Sequence, residues 1–209
     1  MSDGADPRPQ AARLRPTRPA AAASLVLVRE GSEGPSVLMG QRSARHRFMP
    51  RALVFPGGRV DRADRATAGD DPLGAFAAAA LRETEEETGL TAAAMPPPLA
   101  YLCRLVTPAH LPIRFDARFL VGRAEDFAGT LGGSGELEFL RWIALEEAAT
   151  LDLSQPTRVV IEELSIWLRH DASGRACHVA GTWRHRAGWL RRDPPGQFTA
   201  RKISPPPGA

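Results

Sequence analysis

Residues 82–90 read Arg82-Glu83-Thr84-Glu85-Glu86-Glu87-Thr88-Gly89-Leu90, and this acidic run decides the fold. The Ala-rich stretch before it, Ala75 to Leu81, has strong helix propensity. Gly89 suits the left-handed position that closes a helix. On a helix, Glu83, Glu86 and Glu87 stand at i, i+3 and i+4 and share one face, while Glu85 points away. Like charges at this spacing repel each other, and the helix dipole disfavours negative charge in the last turns. No Lys or Arg follows at i+4. A cation is therefore expected to neutralise the cluster. Hard oxygen ligands of this kind suit Mg²⁺ or Mn²⁺, ions that act on phosphates. A solvated charged helix end is the competing interpretation.

Upstream lies Phe55-Pro56-Gly57-Gly58-Arg59-Val60-Asp61. Together the two stretches resemble the box of the Nudix hydrolases, G-x5-E-x7-R-E-U-x-E-E-x-G-U with U aliphatic. Arg82, Glu83, Glu86, Glu87, Gly89 and Leu90 match its second half, and Thr84 stands where an aliphatic residue is usual. The spacing departs from the pattern: Gly58 to Arg82 is 24 positions instead of 14, about ten residues more. The residue eight before Arg82, where the pattern has its first glutamate, is Gly74. The segment read as an insert, Arg62 to Asp71, carries Asp64, Asp70 and Asp71, with Asp61 just before it. One of these aspartates is a candidate for the missing role.

The resemblance implies an α/β fold, the Nudix α/β/α sandwich with a mixed central sheet. It implies that Glu83, Glu86 and Glu87 hold Mg²⁺ or Mn²⁺ across a diphosphate, while the backbone at Gly57 and Gly58 lets the substrate approach closely. Arg82 is expected to be structural, bracing the box through a carboxylate. A further carboxylate, ligand or base for the attacking water, often precedes a Trp in this family. Glu136 and Glu138 precede Trp142 here, and Glu136, at the loop–strand junction, is preferred.

Val37 to His46, followed by Val54-Phe55-Pro56-Gly57-Gly58, is similar to the segment preceding the box in coenzyme A diphosphatases. Thr107-Pro108 and Arg114 to Phe119 resemble the peroxisomal-type branch. The implied activity is cleavage of coenzyme A or acyl-coenzyme A to 3′,5′-ADP and a phosphopantetheine, with Arg42 and Arg45 as contacts to a terminal phosphate. Hydrolysis of ADP-ribose, a dinucleotide or another nucleoside diphosphate derivative is the alternative, as is a Nudix domain that senses a nucleotide without cleaving it. Such folds often dimerise, so a homodimer is among the expectations.

The remaining sequence narrows the class. With 209 residues, 43% of them hydrophobic, the chain suffices for one well-packed domain. The net charge of +3 comes with heavy use of Arg and Ala throughout, so it is discounted as a nucleic-acid signal. Two cysteines, Cys103 and Cys177, without C-x-x-C spacing argue against a zinc site or disulfide scaffold and fit a reducing, cytoplasmic location. No apolar stretch approaches a membrane span, so no membrane partner is expected. The five histidines show no ligand spacing.

Residues 1–19, rich in Pro and Arg, read as a disordered tail, and residues 20–170 as the Nudix domain. Strands are expected at Ala23–Arg29, Ser36–Gln41, Leu53–Phe55, Leu99–Val106, Phe115–Val121 and Leu137–Ile143. Helices are expected at Leu73–Thr88, Leu145–Thr150 and Pro156–His170, with Thr91–Pro98 and Gly129–Gly135 as loops. Residues 171–209 read as an irregular basic extension. Its Trp183, Trp189 and neighbouring arginines could stack on bases, but a segment folded back with its Trp residues buried is preferred, and no nucleic-acid partner is expected.

Overall fold

A computed structural model describes residues 17–45, 49–69, 71–92, 99–186 and 189–193. Strand β1 (Ala20–Arg29) explains the architecture. Its run of buried residues serves both faces of a sheet: Ala23, Leu25 and Leu27 enter one apolar cluster, Val26 and Val28 the other. A strand covered on both sides must lie at the centre of a sandwich. It pairs antiparallel with β2 (Ser36–Arg42) through its second half. Short β3 (Leu53–Val54) continues from β2, and β4 (Gly57–Arg59) pairs with the first half of β1.

Two helices follow, α1 (Arg62–Thr67) and α2 (Gly74–Thr88), so the stretch read as an insert carries a helix of its own. Helix α2 closes at Gly89, whose φ is 72° and whose N–H donates to the Glu85 carbonyl, the left-handed cap expected from the sequence. Thr84, the residue that departs from the aliphatic pattern, is fully buried; its hydroxyl donates to the Ala80 carbonyl at 2.7 Å. Thr88 repeats the bond to Thr84 at 2.6 Å, so both hydroxyls are satisfied within the helix.

Strand β5 (Leu90–Ala92) pairs with the later β8 (Phe127–Gly129) as a small separate ribbon. Strands β6 (Ala100–Val106) and β7 (Phe115–Arg123) form a hairpin, and β7 lies parallel to β1 over nine register pairs from Ala20↔Phe115 to Val28↔Arg123. Strand β9 (Leu137–Ala144) pairs with β2, and α3 (Leu145–Thr150) leads to α4 (Gln155–Leu168). Ser154 caps α4, and Pro156 stands in its first turn. Helix α4 buries Val159, Val160, Ile161 and Leu164 in the cluster opposite α2. Helix, mixed sheet, helix is the α/β/α sandwich anticipated above. Among the described residues, no helix is long and apolar enough to cross a membrane.

The region after residue 170 differs from its reading as irregular. Its described part holds α5 (Ala172–Ala176) and two strands, β10 (Gly181–Arg186) and β11 (Trp189–Arg192). These extend the main sheet, with β10 parallel to β6. The cause is tertiary. Buried Glu163 on α4 accepts a hydrogen bond from Trp183 Nε1 at 3.0 Å and pairs with Arg192 Nε at 3.1 Å. Trp183 is half-buried, whereas Trp189 is 65% exposed, so the extension buries one of these two tryptophans. Glu163→Ala strands both donors and is expected to cost about 1–3 kcal/mol, read as a lower urea midpoint.

Candidate active site

The acidic helix meets the glycine pair face to face. Glycine at 58 is imposed by Glu83: a Cβ there would stand 2.3 Å from the Glu83 carboxyl carbon. Gly57 N–H donates to Glu87 Oε2 at 2.8 Å, and a Cβ at Gly57 would collide with Ser24 and the Ala23 carbonyl of β1. The pair thus lets β4 run directly beneath two carboxylates. Gly58→Ala should push Glu83 aside while the fold survives, because the clash is with the end of a flexible side chain. Activity is then expected to fall by roughly tenfold or more, with thermal unfolding little changed.

A second segment is stitched to the same end of α2. Gly132 N–H donates to the Thr88 carbonyl at 2.9 Å and Ser134 N–H to the Glu86 carbonyl at 2.8 Å, which satisfies carbonyls the helix end leaves open. Gly133, at φ 115°, lies against the Glu87 carbonyl, where a Cβ would come within 2.3 Å. The loop then delivers Glu136, whose carbonyl accepts from Ser43 N–H at 3.1 Å beside the end of β2. Arg42 is paired in register with Leu137 there. Glu136 and Arg42 act electrostatically on both Glu83 and Glu87 or share their field, whereas Glu138 lies opposite Gln41 in the strand ladder.

Burial pushes the Glu87 carboxyl up to about 7; the Gly57 N–H opposes this, and the Glu83 charge adds to it. Burial also raises Glu83, against the charge and hydrogen bond of Arg82. Burial lowers the Arg42 guanidinium, against the favourable charges of Glu87, Glu136 and Glu83. Glu86 stands apart at the rim: its side chain is 55% exposed and bonded to Arg82 Nη1 at 3.2 Å. Arg45 sits on an exposed turn beyond β2. The structure therefore brings together Glu83, Glu87, Glu136, Arg42 and the glycine pair, with Glu86 at the edge and Arg45 outside.

Arg82 is the hub behind this face. Its Nε and Nη2 donate to the two oxygens of Asp64 at 3.2 and 3.1 Å, its Nη2 also to the Arg59 carbonyl, and its Nη1 meets Glu83 at 3.0 Å. Asp64 is buried, and it forms a reciprocal capping box with Asp61 at the start of α1. The guanidinium is held charged, first by the Asp64 hydrogen bonds.

The NUDIX domain family model matches residues 18–164. The chain belongs to the Nudix family. A 69-residue stretch is 44% identical to the putative Nudix hydrolase 7 of Caenorhabditis elegans, covering 33% of this chain and 21% of that protein. The match thus spans about a fifth of that relative's length. Among solved structures, a NUDIX hydrolase from Alicyclobacillus acidocaldarius aligns with TM-score 0.57 and 25% identity over 70% of this chain and 90% of its own. A MutT NUDIX hydrolase from Burkholderia pseudomallei gives TM-score 0.53 at 23% identity, covering 71% and 99%. The NUDIX domain of Shewanella oneidensis NrtR, solved with ADP-ribose, gives 0.55 at 18%, covering 73% and 90%. The last two likenesses speak for the fold alone.

The Nudix pattern clarifies Asp64. Counted back from Arg82, the first glutamate position falls on Gly74, which left Asp61, Asp64, Asp70 and Asp71 as candidates for its role. Counted forward from Gly58, six residues on, it falls on Asp64, the carboxylate that grips Arg82. That forward count was the signal in the sequence. Gly74 instead begins α2 where α1 ends against it: a Cβ there would lie 2.8 Å from the Ala68 carbonyl.

Among the described residues, no three His, Cys, Asp or Glu side chains are grouped closely enough to hold a metal ion together. The donors nevertheless fit a hard divalent ion: the Glu83 charge adds to the raised proton affinity of Glu87, and no Cβ at Gly57 or Gly58 stands in front of these carboxylates. An ion such as Mg²⁺ commonly takes one or two carboxylates and completes its shell with water and substrate phosphates.

Proposed function

We propose that this Nudix chain is a divalent-metal-dependent pyrophosphohydrolase acting on a nucleoside diphosphate derivative. The proposed substrate is coenzyme A or an acyl-coenzyme A, giving 3′,5′-ADP and the (acyl-)phosphopantetheine. The observation that carries this reading is the pair of carboxylates, Glu83 and Glu87, held against the bare backbone of Gly58 and Gly57, with the Glu136 charge acting on both. Glu83, Glu86 and Glu87 would hold Mg²⁺ or Mn²⁺, which supplies phosphoryl polarisation and charge neutralisation when bound. The glycine pair admits the diphosphate. Glu136 accepts the proton of the attacking water, and Arg82, fixed by Asp64, keeps Glu83 and Glu86 oriented.

In this reading the residues beyond the family spacing fall between Asp64 and Arg82, so the box keeps its first carboxylate and gains a helix boundary instead. The coenzyme A assignment rests on the resemblance of Val37–His46 and Thr107–Phe119 to that branch. Arg42, which shares the field of the carboxylates, would meet the diphosphate, and Arg45, outside the assembled site on its exposed turn, would meet a terminal phosphate. A cytoplasmic homodimer belongs to the same proposal.

The test is a mass-spectrometric product assay with Mg²⁺ and Mn²⁺ on coenzyme A, acetyl-coenzyme A, ADP-ribose, NADH and a nucleoside triphosphate. Release of 3′,5′-ADP and phosphopantetheine is the expected result. Cleavage of another member alone would keep the chemistry and discard coenzyme A. Binding with no product from any of them would point to a sensor.

A further inference from the structure

Arg42 occupies a place that a phosphate contact alone does not explain. Along β2, side chains alternate between the faces of the sheet. Leu38, two pairs before Arg42, enters the apolar cluster under α2, so Arg42 points to the α2 side as well. Its backbone is fixed on both edges: its N–H donates to the Ala52 carbonyl at 2.9 Å, its carbonyl accepts from Arg51 N–H at 3.0 Å, and Leu137 faces it on β9. The next residue, Ser43, holds the backbone of Glu136. A guanidinium carried by so rigid a strand end cannot leave the carboxylates by moving its main chain.

We propose that Arg42 is a tethered counter-ion of the metal site, competing with a divalent cation for Glu87, Glu136 and Glu83. It rests on the metal-dependent reading above. The physical consequence is a trade. The guanidinium neutralises the carboxylates when no ion is bound and so stabilises the metal-stripped protein. The same positive charge repels an arriving cation, so it lowers metal affinity until an anionic substrate draws Arg42 onto its phosphates. Substrate and metal would then bind cooperatively, each removing a charge that opposes the other.

The experiment is a calorimetric titration of Mn²⁺ into the metal-stripped full chain, without substrate, for wild type, Arg42→Gln and Arg42→Lys. Thermal unfolding of each is measured in EDTA and in saturating Mn²⁺. Loss of one unit charge at close range should tighten Mn²⁺ binding of Arg42→Gln by about tenfold or more. Its unfolding temperature should fall in EDTA and return to the wild-type value with Mn²⁺, while Arg42→Lys stays close to wild type throughout. Unchanged or weaker Mn²⁺ binding in Arg42→Gln, with only a raised KM, would overturn the counter-ion role and leave a phosphate contact. Wild type that hydrolyses with Mn²⁺ while Arg42→Gln keeps its metal affinity would sink this inference alone. Wild type that neither binds Mn²⁺ nor hydrolyses would sink both.

Discussion

Glu87→Gln is expected to lose hydrolysis by a factor on the order of 10²–10³ in kcat, the size typical of removing one preorganised electrostatic group. The substitution keeps shape and can still accept the Gly57 N–H, so the β4–α2 contact survives. It removes a charge that the fold holds at a cost. Burial raises the Glu87 carboxyl from 4.5 to about 7. For an acid whose folded value is raised, the stabilising contribution is complete below 4.5 and is lost as pH rises through 7. Metal-stripped wild type should therefore lose stability relative to Glu87→Gln between pH 5 and 7, and added Mn²⁺ should restore it. Thermal unfolding of the two proteins in EDTA across that range checks the sign. A variant that is both inactive and less stable at pH 7 would show that Glu87 is a structural residue.

Asp64→Ala is expected to cost about 2–3 kcal/mol, from a half-buried Arg82 left without its two-oxygen partner and from the lost α1 cap. It should also lower kcat by about 10–100-fold, as for other residues that orient a ligand. Asp64 acts through Arg82 on Glu83 and Glu86, so it is a positioning residue, and Asp64→Asn should recover part of the loss in kcat. Gly74→Ala offers a check from the opposite direction. It removes no polar group, yet its Cβ would press on the Ala68 carbonyl and shift α1. A fall in kcat there with KM unchanged would place the effect in the geometry of α1. Wild-type kcat in both Asp64→Ala and Gly74→Ala would mean that Arg82 needs no external brace.

The acidic helix, its glycine cap and the glycine pair were legible because each depends on local chemistry: i, i+3, i+4 spacing, a left-handed residue, a backbone without Cβ. The longer apolar strands β1, β2, β6, β7 and β9 were legible for a similar reason, since apolar runs between Gly and Pro punctuation leave few alternatives. The three-residue strands β4, β5 and β8 are too short to show a pattern, and β5 runs into the stretch read as a loop from Thr91. Two features were hidden. The partner of Arg82 was left open among Asp61, Asp64, Asp70 and Asp71 around the gap at Gly74, and it comes from α1, a helix too short to show periodicity. The last two strands are rich in arginine, and β11 is largely exposed. Their hold on the sheet comes from residues distant in sequence: Glu163 binds Trp183 and Arg192, and Trp183 and Leu190 pack against the core. The site was partly legible in the same way. Its face of glutamates follows from helix geometry, but the exposure of Glu86 and the approach of Arg42 depend on how β2, β4 and the Gly-rich loop meet.

The parallel pairing of β1 with β7 has a kinetic corollary. Ala20 finds its partner Phe115 about 95 residues later in the chain, so the central strand leaves synthesis long before its neighbour exists. Pairings of such high sequence separation slow folding, and a long apolar strand waiting with open edges is a site for association with other chains. Refolding from urea should therefore be slow and sensitive to protein concentration. The hairpin of β6 and β7, closed by local contacts, is the natural unit to form ahead of the strand it will join.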